Sequence, residues 1–223
     1  MSYWVIFIGV ALASWLVQYN LKSKFEKYSK LPLRVTGREV AEMMLRSEGI
    51  TDVRVVSTRG SLTDHYNPTN KTLNLSEDVY NVASVAAAAV AAHECGHAVQ
   101  HARAYAPLRL RSALVPAVSF ASQWVTWIIL AGILLIRVFP QLLLIGIGLF
   151  AVTTLFSFIT LPVEIDASRR ALAWLDRSGL TSGETQKNAR AALRAAAYTY
   201  VVAALSSLAT LIYYIGIYNH RRS

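Results

Sequence analysis

Four stretches of the chain run on without a charged side chain: 4–19 (WVIFIGVALASWLVQY), 114–136 (LVPAVSFASQWVTWIILAGILLI), 138–163 (VFPQLLLIGIGLFAVTTLFSFITLPV) and 197–218 (AYTYVVAALSSLATLIYYIGIY). A bilayer hydrocarbon core of about 30 Å needs roughly 20 apolar residues in helical form. The last three runs meet that length and the first comes close to it. Tyr3, Trp4, Tyr19, Tyr213, Tyr214 and Tyr218 stand at the flanks, where amphipathic rings favour the membrane interface. The pattern predicts transmembrane helices at 3–19, 114–136, 138–163 and 197–218. Ala11-Leu12-Ala13 mimics a signal-peptide cleavage site, but no basic residue precedes it and the apolar run continues beyond it, so the first span is read as uncleaved.

Polar sequence is confined to two segments, 20–113 and 164–196. The first opens with a basic juxtamembrane stretch, Lys22, Lys24, Lys27 and Lys30, suited to anionic headgroups. Thr36-Gly37-Arg38-Glu39 has capping-box spacing. It predicts a short helix ending near Gly49, with Val40, Met43, Met44 and Leu45 facing inward. Val53, Val55 and Val56 predict a strand. Residues 62–76 (LTDHYNPTNKTLNLS) predict a hairpin with its loop at Asn67-Pro68-Thr69-Asn70 and Leu73 and Leu75 on the return arm. Together these predict a short antiparallel sheet. Ser76, followed by Glu77 and Asp78, is a helix start, and no breaker follows before Pro107, so one helix is expected over about 77–105. The small residues of 83–92 (ASVAAAAVAA) suit close helix packing. The predicted fold class is a mainly α membrane protein with a small α+β domain at 20–113.

Composition agrees. Apolar residues make up 54% of the 223 and charged residues 16%, against roughly 25% charged in soluble domains, and mean hydropathy is +0.38. The net charge of +9 orients the chain. Nineteen of 22 Lys and Arg lie in 20–113 and 164–196, while Arg137, Arg221 and Arg222 lie elsewhere. Four spans put both rich segments on one side, and the positive-inside rule makes that side cytoplasmic. The charge follows span ends, not one face, which argues against a nucleic-acid partner. The lone Cys95 precludes an intramolecular disulfide and agrees with a reducing compartment.

The candidate chemistry lies in residues 91–101, AAHECGHAVQH. His93 and His97 are four apart, on one face of a helix, and can offer two imidazoles to one metal ion. Glu94 lies about 100° round, able to reach a water at that ion without ligating it. A third ligand is required. His101 lies about 12 Å along the axis from His93, too far to share the ion. Arg103 stands where an H-E-x-x-H-x-x-G-x-x-H motif would need its last histidine, and Leu175-Asp176-Arg177 does not match an L-D-G partner. The better candidate is Glu164 in LPVEIDASRRAL (161–172), where the third span meets the side assigned to His93. It shares a face with Ser168; Ala167 permits close approach, and Asp166 is expected to point elsewhere. Two histidines and one glutamate leave a zinc ion's fourth position open, as catalytic sites require.

HECGHAVQH, the preceding D-H-Y-x-P…L-x-L-S and L-P-V-E-x-D-A-S-R-R-A-L resemble the YugP-like family of membrane zinc metallopeptidases, over about residues 3–215. The resemblance implies a gluzincin-like protease domain binding one zinc ion through His93, His97 and Glu164, with Glu94 as catalytic acid/base. More distantly, E-I-D-A-S-R resembles the E-x-x-A-D-R of HtpX-type and CAAX-prenyl membrane proteases. Glu164, Ala167 and Arg169 match that pattern. Ser168 stands where those enzymes carry an aspartate that orients a histidine ligand, which leaves Asp166 and Asp78 as candidates for that task. The expected function is a membrane-embedded zinc endopeptidase acting on proteins or peptides, membrane proteins among them, with its site on the cytoplasmic face of the cell membrane. His65 is a candidate oxyanion or substrate contact, the DHYNP arm is a candidate edge strand for substrate, and His101 is a candidate to support a ligand, face substrate or sit at the membrane interface. The rival class is a silent zinc-stabilised scaffold or chaperone, against which the intact Glu94 argues.

Overall fold

The structure is a computed structural model, and it describes residues 3–220. Arg221 and Arg222 lie outside the described residues. The elements are α1 (Tyr3–Ser29), α2 (Gly37–Ser47), β1 (Arg54–Thr58), β2 (His65–Asn67), β3 (Thr72–Ser76), α3 (Glu77–Tyr80), α4 (Val85–Ala102), α5 (Ala106–Leu134), α6 (Pro140–Arg177) and α7 (Gly183–His220). The chain divides into two compact units. One comprises the chain up to Leu16, Arg109–Leu161 and the chain from Tyr200; the other comprises Val17–Leu108 and Pro162–Thr199.

The first unit holds most of the apolar sequence. Helices α1, α5, α6 and α7 are long and apolar enough to cross a membrane. Their large apolar side chains point outward: Trp127 is 67% exposed and Leu134 76%. A water-soluble surface does not tolerate so much exposed apolar area, whereas lipid does. Val125, Ile129, Ile136, Leu143 and Ile147 form the unit's small core. The Thr154 and Ser207 hydroxyls, 2.7 Å apart, join α6 to α7. At 1.5 Å per residue the 38 residues of α6 are about 57 Å long, more than a bilayer core requires. The surplus, Pro162–Arg177, belongs to the second unit and carries Glu164.

The second unit is built on α4. Helix α2 starts as expected: Thr36 accepts from the Glu39 amide at 3.3 Å, and the Thr36 amide donates to the Glu39 carboxylate at 2.7 Å. It ends at Ser47, and the chain turns away at Gly49, whose φ of +73° lies in the left-handed region that glycine adopts freely. Val40, Ala41, Met44 and Leu45 are buried against α4, but Met43 is exposed, contrary to expectation. Its place in the core is taken by Ala41, one position that the inward stripe at i, i+4 includes and Met43 misses.

Two further expectations are corrected. The sheet is mixed, not antiparallel, in the order β1-β3-β2. The predicted hairpin is present, with His65 opposite Asn74 and Asn67 opposite Thr72, but β1 pairs with β3 in parallel. The hairpin occupies one edge of β3, so β1 takes the other, and Leu73 and Leu75 on this central strand are fully buried. The helix expected over 77–105 is two helices. Backbone carbonyls of Val82 and Ala83 accept from Gly37 and Leu33, and the Val85 amide donates to Leu31. These bonds hold 81–84 out of helical form. Ser84 then caps α4, its hydroxyl accepting from the Ala87 amide at 3.2 Å.

Candidate metal centre

His93 and His97 project one turn apart from α4, with ring centroids 4.8 Å apart and planes nearly perpendicular. Glu164 reaches them from α6 because Gly96, between the histidines, has no side chain. A Cβ at position 96 would lie 2.6 Å from the Ala167 carbonyl oxygen, so only glycine lets α6 approach this closely. Glu164, one turn before Ala167, then places Oε2 at 3.3 Å from His93 Nε2 and 3.5 Å from His97 Nε2.

This donor set fits a zinc ion. Three donors about 2.0–2.2 Å from one tetrahedral ion stand about 3.3–3.6 Å apart, the spacing of Glu164 Oε2 from both imidazole nitrogens. All three ligand atoms lie within 4.8 Å of one another. Glu164 Oε2 is buried and has no hydrogen-bond partner among the described residues, an arrangement costly for a carboxylate unless a cation satisfies it. Glu164 is one residue beyond the charge-free run that ends at Val163. Burial alone would raise its carboxyl pKa; the two imidazoles outweigh burial and hold it well below the usual carboxylate range.

Each imidazole is held from behind. His93 Nδ1 lies 3.0 Å from Ser168 Oγ, and His97 Nδ1 lies 3.1 Å from Gln100 Oε1. Gln100 is fully buried, and its Nε2 donates to the Val163 carbonyl at 2.8 Å and to Asp166 at 3.0 Å. Asp166 therefore does not point away from the site, as its helix position suggested. It is buried, joined to His97 through Gln100, and paired with Arg169 and Arg170 at 2.7 and 2.6 Å. Arg169 meets Asp166 from a largely exposed position. Asp78 is exposed on α3. Gln100 was missed in the sequence, although a glutamine one turn after His97 on an apolar helix is a polar group that must find partners if buried.

Glu94 is 8% exposed and lies outside the donor set. Its Oε2 accepts from the Tyr66 amide of β2 at 3.0 Å. The Tyr66 hydroxyl reaches His101 Nδ1 at 2.8 Å, so Tyr66 ties strand β2 to α4 through both its backbone amide and its side chain. Asp64, just before β2, accepts from the Ser76 amide and hydroxyl. Burial raises its pKa, against the Ser76 donors and with help from the nearby Glu94 charge. His65 is exposed and contacts the Thr63 carbonyl at 2.8 Å; it is not among the three clustered donors. Burial pushes the Cys95 thiol well above its ordinary range, with Glu94 adding to the effect, and this removes it as a nucleophile.

Residues 3–219 match the family described as "Putative neutral zinc metallopeptidase". The chain is 42% identical over 224 residues to "Putative membrane protease YugP" of Bacillus subtilis (strain 168), covering 97% of each chain. No solved structure matches. With the match running over nearly the whole chain, the protein belongs to the family described as "Putative neutral zinc metallopeptidase".

Proposed function

We propose that the protein is a membrane-embedded zinc endopeptidase of the gluzincin type, with His93, His97 and Glu164 holding one zinc ion and Glu94 serving as general acid/base. The observation that carries this reading is the pairing of a three-donor cluster at zinc spacing with a buried carboxylate beside it that contributes no donor. A structural site uses four protein ligands and has no use for such a base. In this reading the unit of Val17–Leu108 and Pro162–Thr199 is the protease domain, and α4 is its H-E-x-x-H helix. Bound zinc supplies a Lewis acid that polarises the scissile carbonyl and makes water more acidic. Glu94 takes the proton of the attacking water and delivers it to the departing amine.

Strand β2 has β3 on one side only, so the backbone groups of its outer edge that Glu94 does not take could pair with an extended peptide. The Tyr66 amide points to that edge, toward Glu94, so a peptide lying along β2 runs past the base. The test is cleavage of an unfolded protein substrate by the purified full chain in detergent or lipid. A chelator should abolish cleavage and added zinc should restore it; cleavage indifferent to the chelator contradicts the proposal.

In this reading 20–113 and 164–196 face the cytosol and both termini face out, which the distribution of basic residues supports. In a Cys95→Ala background, an impermeant thiol reagent applied to intact cells should label His220→Cys and spare Asn70→Cys. The reverse pattern would invert the topology and move the site to the outer face.

A further inference from the structure

Both metal-binding histidines are backed by uncharged groups. Ligand histidines commonly donate their second ring nitrogen to a carboxylate, a backbone carbonyl or water. Here His93 Nδ1 meets the Ser168 hydroxyl at 3.0 Å and His97 Nδ1 meets the Gln100 amide oxygen at 3.1 Å. The nearest carboxylate on this side, Asp166, stands one link further out. It is reached only through Gln100 Nε2 at 3.0 Å, and its charge is engaged by Arg169 and Arg170. Gln100 cannot turn to bring its NH₂ against His97 without losing both the Val163 carbonyl and Asp166 as acceptors, which fixes its Oε1 toward the imidazole. The same orientation makes His97 Nδ1 the donor and leaves Nε2 free to face Glu164.

We propose that Ser168 and Gln100 are positioning residues that orient the two ligand histidines without adding negative charge, so that the site holds its zinc less tightly than a carboxylate-backed site would and leaves the ion more electrophilic. The inference rests on the zinc-site reading above. A carboxylate hydrogen-bonded to an imidazole draws its proton, makes the ring a stronger donor and passes electron density to the metal. Removing such an outer partner typically costs 10–100-fold in metal affinity. A hydroxyl or an amide oxygen fixes the ring's direction with little of that donation. The only carboxylate in the donor set is then Glu164 itself, and the ion keeps more of its positive charge.

The experiment measures zinc and cobalt dissociation constants of the purified full-length protein by competition with a chromophoric chelator. It compares wild type with Ser168→Asp, Ser168→Asn and Ser168→Ala, each shown to be folded by circular dichroism. Ser168→Asp should tighten zinc about tenfold or more. Ser168→Asn, of the same size without the charge, should not tighten it. Ser168→Ala should weaken binding by only a few-fold. The ligand-field spectrum of bound cobalt should keep its tetrahedral intensity throughout, showing that the donor set is unchanged. Loss of affinity by 10–100-fold in Ser168→Ala, or a folded Ser168→Asp that binds zinc no tighter than Ser168→Asn, overturns the proposal. Should Ser168→Asp fail to fold, the Ser168→Ala result decides alone. A wild-type protein that binds no zinc overturns the zinc reading itself, an outcome distinct from any difference among the variants.

Discussion

Replacing Glu94 by glutamine should leave zinc content and fold intact while peptide-bond cleavage falls by at least ~10²–10⁴-fold, the usual worth of a positioned general base. Glutamine keeps nearly the volume of the buried glutamate, and its amide oxygen can still accept from the Tyr66 amide, so β2 should stay against α4. What is lost is the ability to take a proton. Added zinc should not restore activity, because the defect is not in the metal. Glu94→Asp should retain little activity, since a side chain one methylene shorter withdraws from both Tyr66 and the attacking water. Cleavage by Glu94→Gln at the wild-type rate would end the protease assignment. A zinc-stabilised scaffold would then account better for the three donors.

The second large effect is on metal content. On the proposed zinc reading, His93→Ala, His97→Ala and Glu164→Ala should each lower zinc affinity by more than the 10–100-fold expected for an outer partner, because each would remove a direct donor. Elemental analysis of the purified variants measures this. Asp166→Ala should keep its zinc. It loses an acceptor for Gln100, but Gln100 Nε2 still donates to the Val163 carbonyl and continues to face His97 with its oxygen. Full zinc occupancy in Glu164→Ala together with an empty Asp166→Ala would transfer the third ligand to Asp166.

How far the chain could be read from its residues depended on the range over which each feature is decided. The apolar runs, the Thr36 capping box and the hairpin through Asn67-Pro68 depend on neighbours a few residues apart, and all appear in the structure. The i, i+4 relation of His93 and His97 is equally local. Their proximity to Glu164 spans some seventy residues, yet it was anticipated because Glu164 stands where the third span meets the side assigned to His93, in a segment that resembles the family's motif. Features decided by distant backbone groups were not legible. Pairing of β1 beside β3 depends on which edge the hairpin leaves open. The break at 81–84 depends on partners at Leu31, Leu33 and Gly37, which a local absence of helix breakers cannot reveal. Gln100 escaped notice because its role comes from Val163 and Asp166 on another helix. Met43 and Ala41 exchanged places because an apolar residue beside an amphipathic stripe carries little sign of which side it takes.

The close approach of Gly96 to the Ala167 backbone also sets how sensitive the site is to small movements of α6 within its own unit. Glu164 lies three residues from Ala167, about 4.5 Å along α6. A rocking of α6 by about 10° around that point would displace the Glu164 backbone by only about 0.8 Å, a movement that side-chain torsions can absorb. A pivot within a turn of the carboxylate gives such a rocking of Pro162–Arg177 a very short lever arm, so the spacing of Glu164 from the two histidines changes little with it.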